Sequence, residues 1–182
     1  MNLNNYLSQV QIASQVAIIA VLGLIPKIDL PFLPGVPITA QTLGVMLAGT
    51  LLSIKNSLFS VMIFLALVLI GAPLLSGGRG GISVFFAPSS GYLLGWIVGA
   101  VTISLSFNIL RKTFGTYLAA FLACFIGGIL IIHLCGIIGL TFITDLSLTQ
   151  ASFLSLTFVP GDVIKCLLAA FITKKIEDKF KN

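Results

Sequence analysis

Residues 89–143 read SSGYLLGWIVGAVTISLSFNILRKTFGTYLAAFLACFIGGILIIHLCGIIGLTFI, two apolar runs divided by the pair Arg111-Lys112. The hydrocarbon core of a bilayer is about 30 Å thick, takes about 20 helical residues to cross, and holds no water to satisfy an open backbone. Runs this long and this apolar predict two membrane-spanning helices, over 89–110 and 114–143. The second is longer than a crossing needs, so tilt or a kink must absorb the excess. Its glycines, Gly127, Gly128, Gly136 and Gly139, predict close packing.

Working outward, the same pattern recurs. Apolar runs cover 9–25, stopped by Pro26, then 38–54 and 56–71, divided at Lys55, and finally 153–173, interrupted by Pro160. The fold class predicted is an all-α integral membrane protein: a bundle of six transmembrane helices forming a single membrane-embedded domain over 1–182, with a long Gly-rich outer loop between helices 3 and 4. Composition agrees. Of 182 residues 58% are apolar and 8% charged, against about 25% charged in soluble domains, and mean hydropathy is +1.15. These values exclude a soluble globular domain and, equally, a disordered chain.

Net charge is +5, from ten cations and five acids. Lys174, Lys175, Lys179 and Lys181 cluster at the C-terminal end and the remaining cations stand between apolar runs, so they read as membrane flanks rather than a nucleic-acid surface. Six spans put both termini on one side. With that side cytoplasmic it holds Lys55, Arg111, Lys112 and the four C-terminal lysines, against Lys27 and Arg79 outside, as the positive-inside rule requires. No Lys or Arg precedes the first run, so it lacks the basic flank of a secretory signal and is expected to be retained. Cys124, Cys135 and Cys166 lie inside apolar runs without a Cys-x-x-Cys, as apolar fillers; no metal site is expected.

Two outer connections are more than turns. Residues 26–37 carry four prolines, and 72–88 read APLLSGGRGGISVFFAP, four glycines around Arg79. A loop of about 15 residues in a compact bundle is usually functional. Its apolar ISVFF stretch needs a surface to cover, which favours a lid over a flexible linker.

The polar residues out of place carry the functional reading. Counted back from Lys174 at 1.5 Å per residue, Lys165 lies about 13 to 14 Å into the membrane and Asp162 about 18 Å. Ionisable groups at that depth cost about 2.5 to 3.5 kcal/mol each on insertion scales and mark function by default. Three residues apart, the two can neutralise one another. Asp162 can also serve a helix start at Pro160, though that leaves Lys165 unexplained. The third reading is a pocket for a polar, anionic small molecule beside the Gly-Arg-Gly lid. Thr39, Gln41 and Thr42 at the start of the second span, and Ser89, Ser90 and Tyr92 at the start of the fourth, would ring the same mouth; span-start Ser and Thr serve equally well as caps. Tyr92 and Trp96, at i and i+4, fit an aromatic wall for a ring-shaped ligand or an interfacial belt. His133, alone on an apolar helix, reads as a packed, hydrogen-bonded histidine.

No G-x-x-x-x-G-K-[ST] phosphate loop, G-x-S-x-G or H-E-x-x-H occurs, and five acids leave few catalytic candidates. The spans are too uniformly apolar to line a water-filled pore. A binding and translocation subunit is therefore expected, not an enzyme; a small integral-membrane enzyme is the alternative from another class.

Four stretches together resemble the biotin-specific substrate-binding subunits (BioY type) of energy-coupling factor transporters: GVPITAQT at 35–42, GAPLLSGGRGG at 71–81, SSGYLLG at 89–95 and PGDVIK at 160–165. The chain has APSSGY at 87–92 where the family more often has Gly-Pro-Thr-Gly-Gly-Tyr. The resemblance implies a six-helix subunit of a prokaryotic cytoplasmic membrane, both termini cytoplasmic, that binds biotin from outside; a subunit for a different vitamin is the nearest alternative. It implies partners, a transmembrane coupling subunit and two ATPase subunits, and no cofactor beyond biotin as transported ligand. It implies docking of the coupling subunit on Ala13 and Ala17, continued by Ala20, small residues that permit close helix approach. Biotin's ureido ring has two N–H donors and one carbonyl, and its valerate ends in a carboxylate. Asp162 would accept from an N–H, Lys165 or Arg79 would meet the carboxylate, and Tyr92 or Trp96 would cover the ring.

Overall fold

The computed structural model describes residues 3–32 and 35–181; Pro34, one of the four prolines of the first connection, lies outside them. Among the described residues the structure is all helical, with only two isolated β-bridges, Ile28–Ile38 and Leu75–Arg79. The α-helices are α1 (Leu3–Leu22), α2 (Gln41–Leu51), α3 (Ile54–Leu69), α4 (Ser90–Ala123), α5 (Ile132–Ile143), α6 (Leu148–Ser155) and α7 (Val159–Lys181). A π-helical stretch, Cys124–Ile131, joins α4 to α5, and 3₁₀ turns occupy Ile82–Phe85 and Leu156–Phe158. Three helical stretches are long and apolar enough to cross a membrane: Asn5–Leu22, Ser90–Ile143 and Leu148–Phe180.

The Ser90–Ile143 stretch is two legs. Gly115 has φ 70° and ψ 169°, outside the helical region, and breaks the helix three residues after the Arg111-Lys112 pair at which the charge pattern places the division. Charge marks a membrane edge; it does not interrupt hydrogen bonding, whereas a positive φ does, at little cost to glycine. The legs return antiparallel along a glycine seam. A Cβ on Gly91 would stand 2.8 Å from Gly139 Cα, and one on Gly99 would stand 2.9 Å from Gly127 O. The second leg was expected to be too long to run straight, and the π-helical turn falls within it.

Boundaries elsewhere moved for local reasons. Helix α1 begins at Leu3 and stops at Leu22; a side chain on Gly23 would strike Leu74 O at 2.4 Å. Helix α2 has 11 residues, about 16 Å at 1.5 Å per residue and well short of a bilayer. Residues 36–39, which precede it, are non-helical and line a cavity, with both backbone groups of Ile38 paired to Ile28 at 3.0 and 2.9 Å. Ser53 caps α3, accepting from Asn56 N at 3.3 Å. Ser147 and Gln150 form a capping box that opens α6, which begins before the expected span at 153. Pro160 sits in the first turn of α7, where its missing N–H costs nothing, and α7 continues past 173 to Lys181.

The connection 72–88 is packed down, not free. Leu75 and Val84 are buried in one core cluster with Val68, Leu93 and Trp96, while Ile82 and Phe86 are exposed.

Candidate functional site

Gln41, the first residue of α2, is fully buried. Its amide donates to Ile19 O (3.1 Å) and Leu74 O (3.0 Å), and its carbonyl accepts from Ser76 N (3.0 Å). Both amide protons are thereby spent on backbone, so Gln41 ties α1, α2 and the 72–88 connection together, and only one carbonyl lone pair is left for anything else. One helical turn beyond the irregular stretch, Thr42 faces α7.

Asp162 lies in the first turn of α7 and is 5% exposed. Its Oδ1 accepts from Lys165 Nζ at 2.8 Å and its Oδ2 contacts His133 Nε2 at 2.8 Å. Lys165 Nζ also donates to Thr42 Oγ1 at 2.9 Å. His133 Nδ1 meets Ser155 Oγ at 2.7 Å, and Ser155 Oγ meets Tyr92 Oη at 3.0 Å. A single chain of polar contacts therefore runs Thr42, Lys165, Asp162, His133, Ser155, Tyr92, crossing α2, α7, α5, α6 and α4. A buried carboxylate needs such company, since burying a charge without hydrogen-bonded partners is prohibitive.

This chain forms one wall of a partly enclosed cavity. Val36, Pro37, Ile38, Leu75, Leu93 and Ile132 supply apolar lining. The Tyr92 ring packs edge-on to His133 and Phe158, centroids 5.9 Å from each, and it fits because residue 136 is glycine: a Cβ there would stand 2.3 Å from a Tyr92 ring carbon. Trp96 is buried against Phe64, centroids 6.1 Å apart. Arg79 comes down from the 72–88 connection, donating from Nη1 to Ser89 Oγ and from Nε to Ser76 O, both 3.4 Å. Burial lowers its pKa, opposed by the Asp29 carboxylate, yet a guanidinium stays charged. The site thus offers an ammonium, a guanidinium and a carboxylate against apolar and aromatic walls. Among the described residues no His, Cys, Asp and Glu group able to hold a metal occurs.

Eight of the nine residues expected at a binding site line this one cavity: Thr39, Gln41, Arg79, Ser89, Tyr92, Trp96, Asp162 and Lys165. Ser90 is buried and lies off the lining. Ala13 and Ala17 are exposed and Ala20 half-buried on α1, and Ala13 belongs to a separate surface groove with Ile12, Val16, Ile63 and Leu67. His133, read from sequence as a packed histidine without an acid partner, is on the lining and bonded to Asp162. The signal for it was indirect: a buried carboxylate has about four lone-pair sites, more than one ammonium fills.

The model of the BioY family matches residues 2–182. The chain is 48% identical over 170 residues to the probable biotin transporter BioY of Bacillus subtilis, covering 93% of this chain and 90% of the relative. It is 46% identical to the biotin transporter BioY of Rhizobium etli, covering 88% and 87%. Its fold is similar to the crystal structure of the S-component for biotin from an ECF-type ABC transporter, with TM-score 0.90 and 33% identity over 98% of this chain and 95% of that one.

Proposed function

The chain belongs to the BioY family, and from that premise we propose that its cavity is a biotin site and that the protein is the substrate-binding subunit through which biotin is taken up, a transport protein rather than an enzyme. The observation that carries the assignment is the buried Asp162–Lys165–His133 cluster set in an apolar, aromatic-walled cavity. Biotin needs such a mixture: acceptors for two ureido N–H groups, a donor for the ureido carbonyl, apolar cover for the thioether ring, and a cation for the valerate. Asp162 accepts from the ureido ring. Lys165 and Arg79 are the two cations available, Lys165 at the cluster and Arg79 at the 72–88 connection; the carboxylate is met by Arg79, which leaves the third Lys165 proton for the ureido carbonyl. Tyr92, Trp96 and Thr39 flank the ligand, Ser89 steadies Arg79, and Gln41 acts through the loop it anchors.

One membrane-embedded domain over 1–182 carries this out, with six crossings: α1, α2 with its irregular lead-in, α3, the two legs divided at Gly115, and α6 with α7. Both termini face the cytoplasm, as the cation split supports, and the cavity opens outward. The structural neighbour is an S-component of an ECF-type ABC transporter, which supports a coupling subunit and two ATPases as partners. The exposed Ala13–Ala17 face of α1 is where we place the coupling subunit. Replacing Ala17 by Trp is expected to abolish uptake in cells and leave biotin binding by the purified subunit intact; unchanged uptake overturns the docking face.

Calorimetric titration of the purified protein with biotin, thiamine and riboflavin tests the function. Saturable one-to-one binding of biotin alone is expected, and binding of another vitamin in its place overturns the assignment. Reporter fusions at the C-terminus test the orientation: cytoplasmic reporter activity is expected, and an extracellular terminus contradicts it.

A further inference from the structure

His133 is the one histidine of the chain, and both of its ring nitrogens are engaged, Nε2 with Asp162 Oδ2 and Nδ1 with Ser155 Oγ. An ionised carboxylate accepts and has no proton to give, so the Asp162 contact puts a proton on Nε2. In the neutral ring Nδ1 is then a bare lone pair, and the hydroxyl proton of Ser155 goes to it. With that proton spent, Ser155 Oγ can only accept, and the group 3.0 Å away is Tyr92 Oη. The phenolic proton of Tyr92 is thereby turned toward Ser155, and Tyr92 presents lone pairs to the cavity. At the other end, Oδ1 of Asp162 accepts from both Lys165 Nζ at 2.8 Å and Thr42 Oγ1 at 3.4 Å, so it is Oδ2, held by His133 alone, that keeps a lone pair for a ligand.

We propose that His133, acting through Ser155, is the positioning residue that sets the hydrogen-bond polarity of the site, holding Asp162 and Tyr92 as two acceptors toward the cavity and so selecting a ligand that brings two N–H donors. The inference rests on the biotin reading, because a cyclic urea brings two such donors. The opposite polarity is available to the same atoms. A doubly protonated ring donates from Nδ1 to Ser155, Ser155 donates to Tyr92, and the Tyr92 proton points into the cavity, where it meets a ligand N–H head-on. One proton on Nδ1 thus converts an acceptor of the site into a donor, and a site built to pair a ligand's polar hydrogens rejects one whose partner is missing.

The test has an arm that needs no ligand. Nitrogen-15 NMR of imidazole-labelled protein in nanodiscs is expected to find His133 protonated at Nε2 alone; a ring protonated at Nδ1, or at both nitrogens, overturns the proposal. The second arm measures biotin affinity in a double-mutant cycle. Ser155→Ala is expected to weaken binding about tenfold in the parent and less than about twofold in the Tyr92→Phe background, since Ser155 acts only through the Tyr92 hydroxyl. An equal loss in both backgrounds overturns it. His133→Gln, which can still donate to Asp162, is expected to recover part of the affinity lost in His133→Leu. No such recovery at equal thermal stability also counts against the proposal. If the parent binds no biotin, the ligand reading fails, and the tautomer still decides the role of His133.

Discussion

The cavity wall and the seam between the legs 90–114 and 116–143 meet at Tyr92, and they are held by opposite means. In the wall, six side chains from five helices are joined by polar contacts of 2.7 to 3.0 Å, so the cost of an error is a charge or a donor left without a partner. In the seam there is almost no side chain at all. Gly91 lies against Gly139 and Gly99 against Gly127, so the cost of an error is steric. Within lipid, where apolar contact with a neighbouring helix gains little over contact with lipid tails, close backbone approach is what holds helices together. Tyr92 depends on both regions: its hydroxyl is in the polar chain and its ring occupies space that Gly136 leaves free.

That difference can be broken from either side. The largest effect is expected in the seam. Gly99→Leu would put a Cβ 2.7 Å from Ile132 Cγ1 and 2.9 Å from the Gly127 carbonyl, and backbone cannot repack as a flexible side chain does. Folded protein should be lost, read as the monodisperse yield from detergent extracts; normal yield would mean the seam opens easily. Next comes Gln41→Leu, which removes both donors and the acceptor that join Ile19, Leu74 and Ser76. Stranded buried groups cost about 1 to 3 kcal/mol each, so a clear fall in thermal stability is expected together with weaker biotin binding as the Arg79 loop loosens. Arg79→Ala should have the smallest effect on the fold. Its two hydrogen bonds are long, so thermal stability should stay nearly constant while biotin affinity drops about tenfold, the value of one charge-assisted hydrogen bond. A drop in stability without loss of affinity would make Arg79 a loop anchor only.

The fold was largely legible because the bilayer permits so few solutions. Long apolar runs had to be helices, and the excess length of 114–143 implied the distortion that the π-helical stretch Cys124–Ile131 supplies. What composition could not give was the exact point of each break. Gly115 ends a helix through its dihedral angles, with no change in hydropathy, and α2 starts late because residues 36–39 line the cavity instead of extending the helix. For the site, depth alone singled out Asp162 and Lys165, and Thr39, Gln41, Thr42, Ser89 and Tyr92, though not Ser90, converge with them on one cavity. His133 is packed and hydrogen-bonded as expected, and its acid partner was out of sight for a plain reason: Asp162 lies 29 residues away on another helix, and spacing along one helix reports only partners at i+3 and i+4. Ser155 is linked to Tyr92 across 63 residues and left no signal in the sequence.

On the proposed function, the buried charges of Asp162 and Lys165 serve a ligand and not the fold. Removing a buried ion pair whole is often neutral or stabilising, whereas removing half of it strands a charge. The double variant Asp162→Asn, Lys165→Met therefore separates the two roles: measure its thermal stability and its biotin affinity beside the parent. The predicted result is a folded protein, near or above parental stability, whose affinity has fallen at least about a hundredfold, two charged hydrogen bonds at about 1.5 to 3 kcal/mol each. A folded double variant that binds biotin as tightly as the parent would contradict the account.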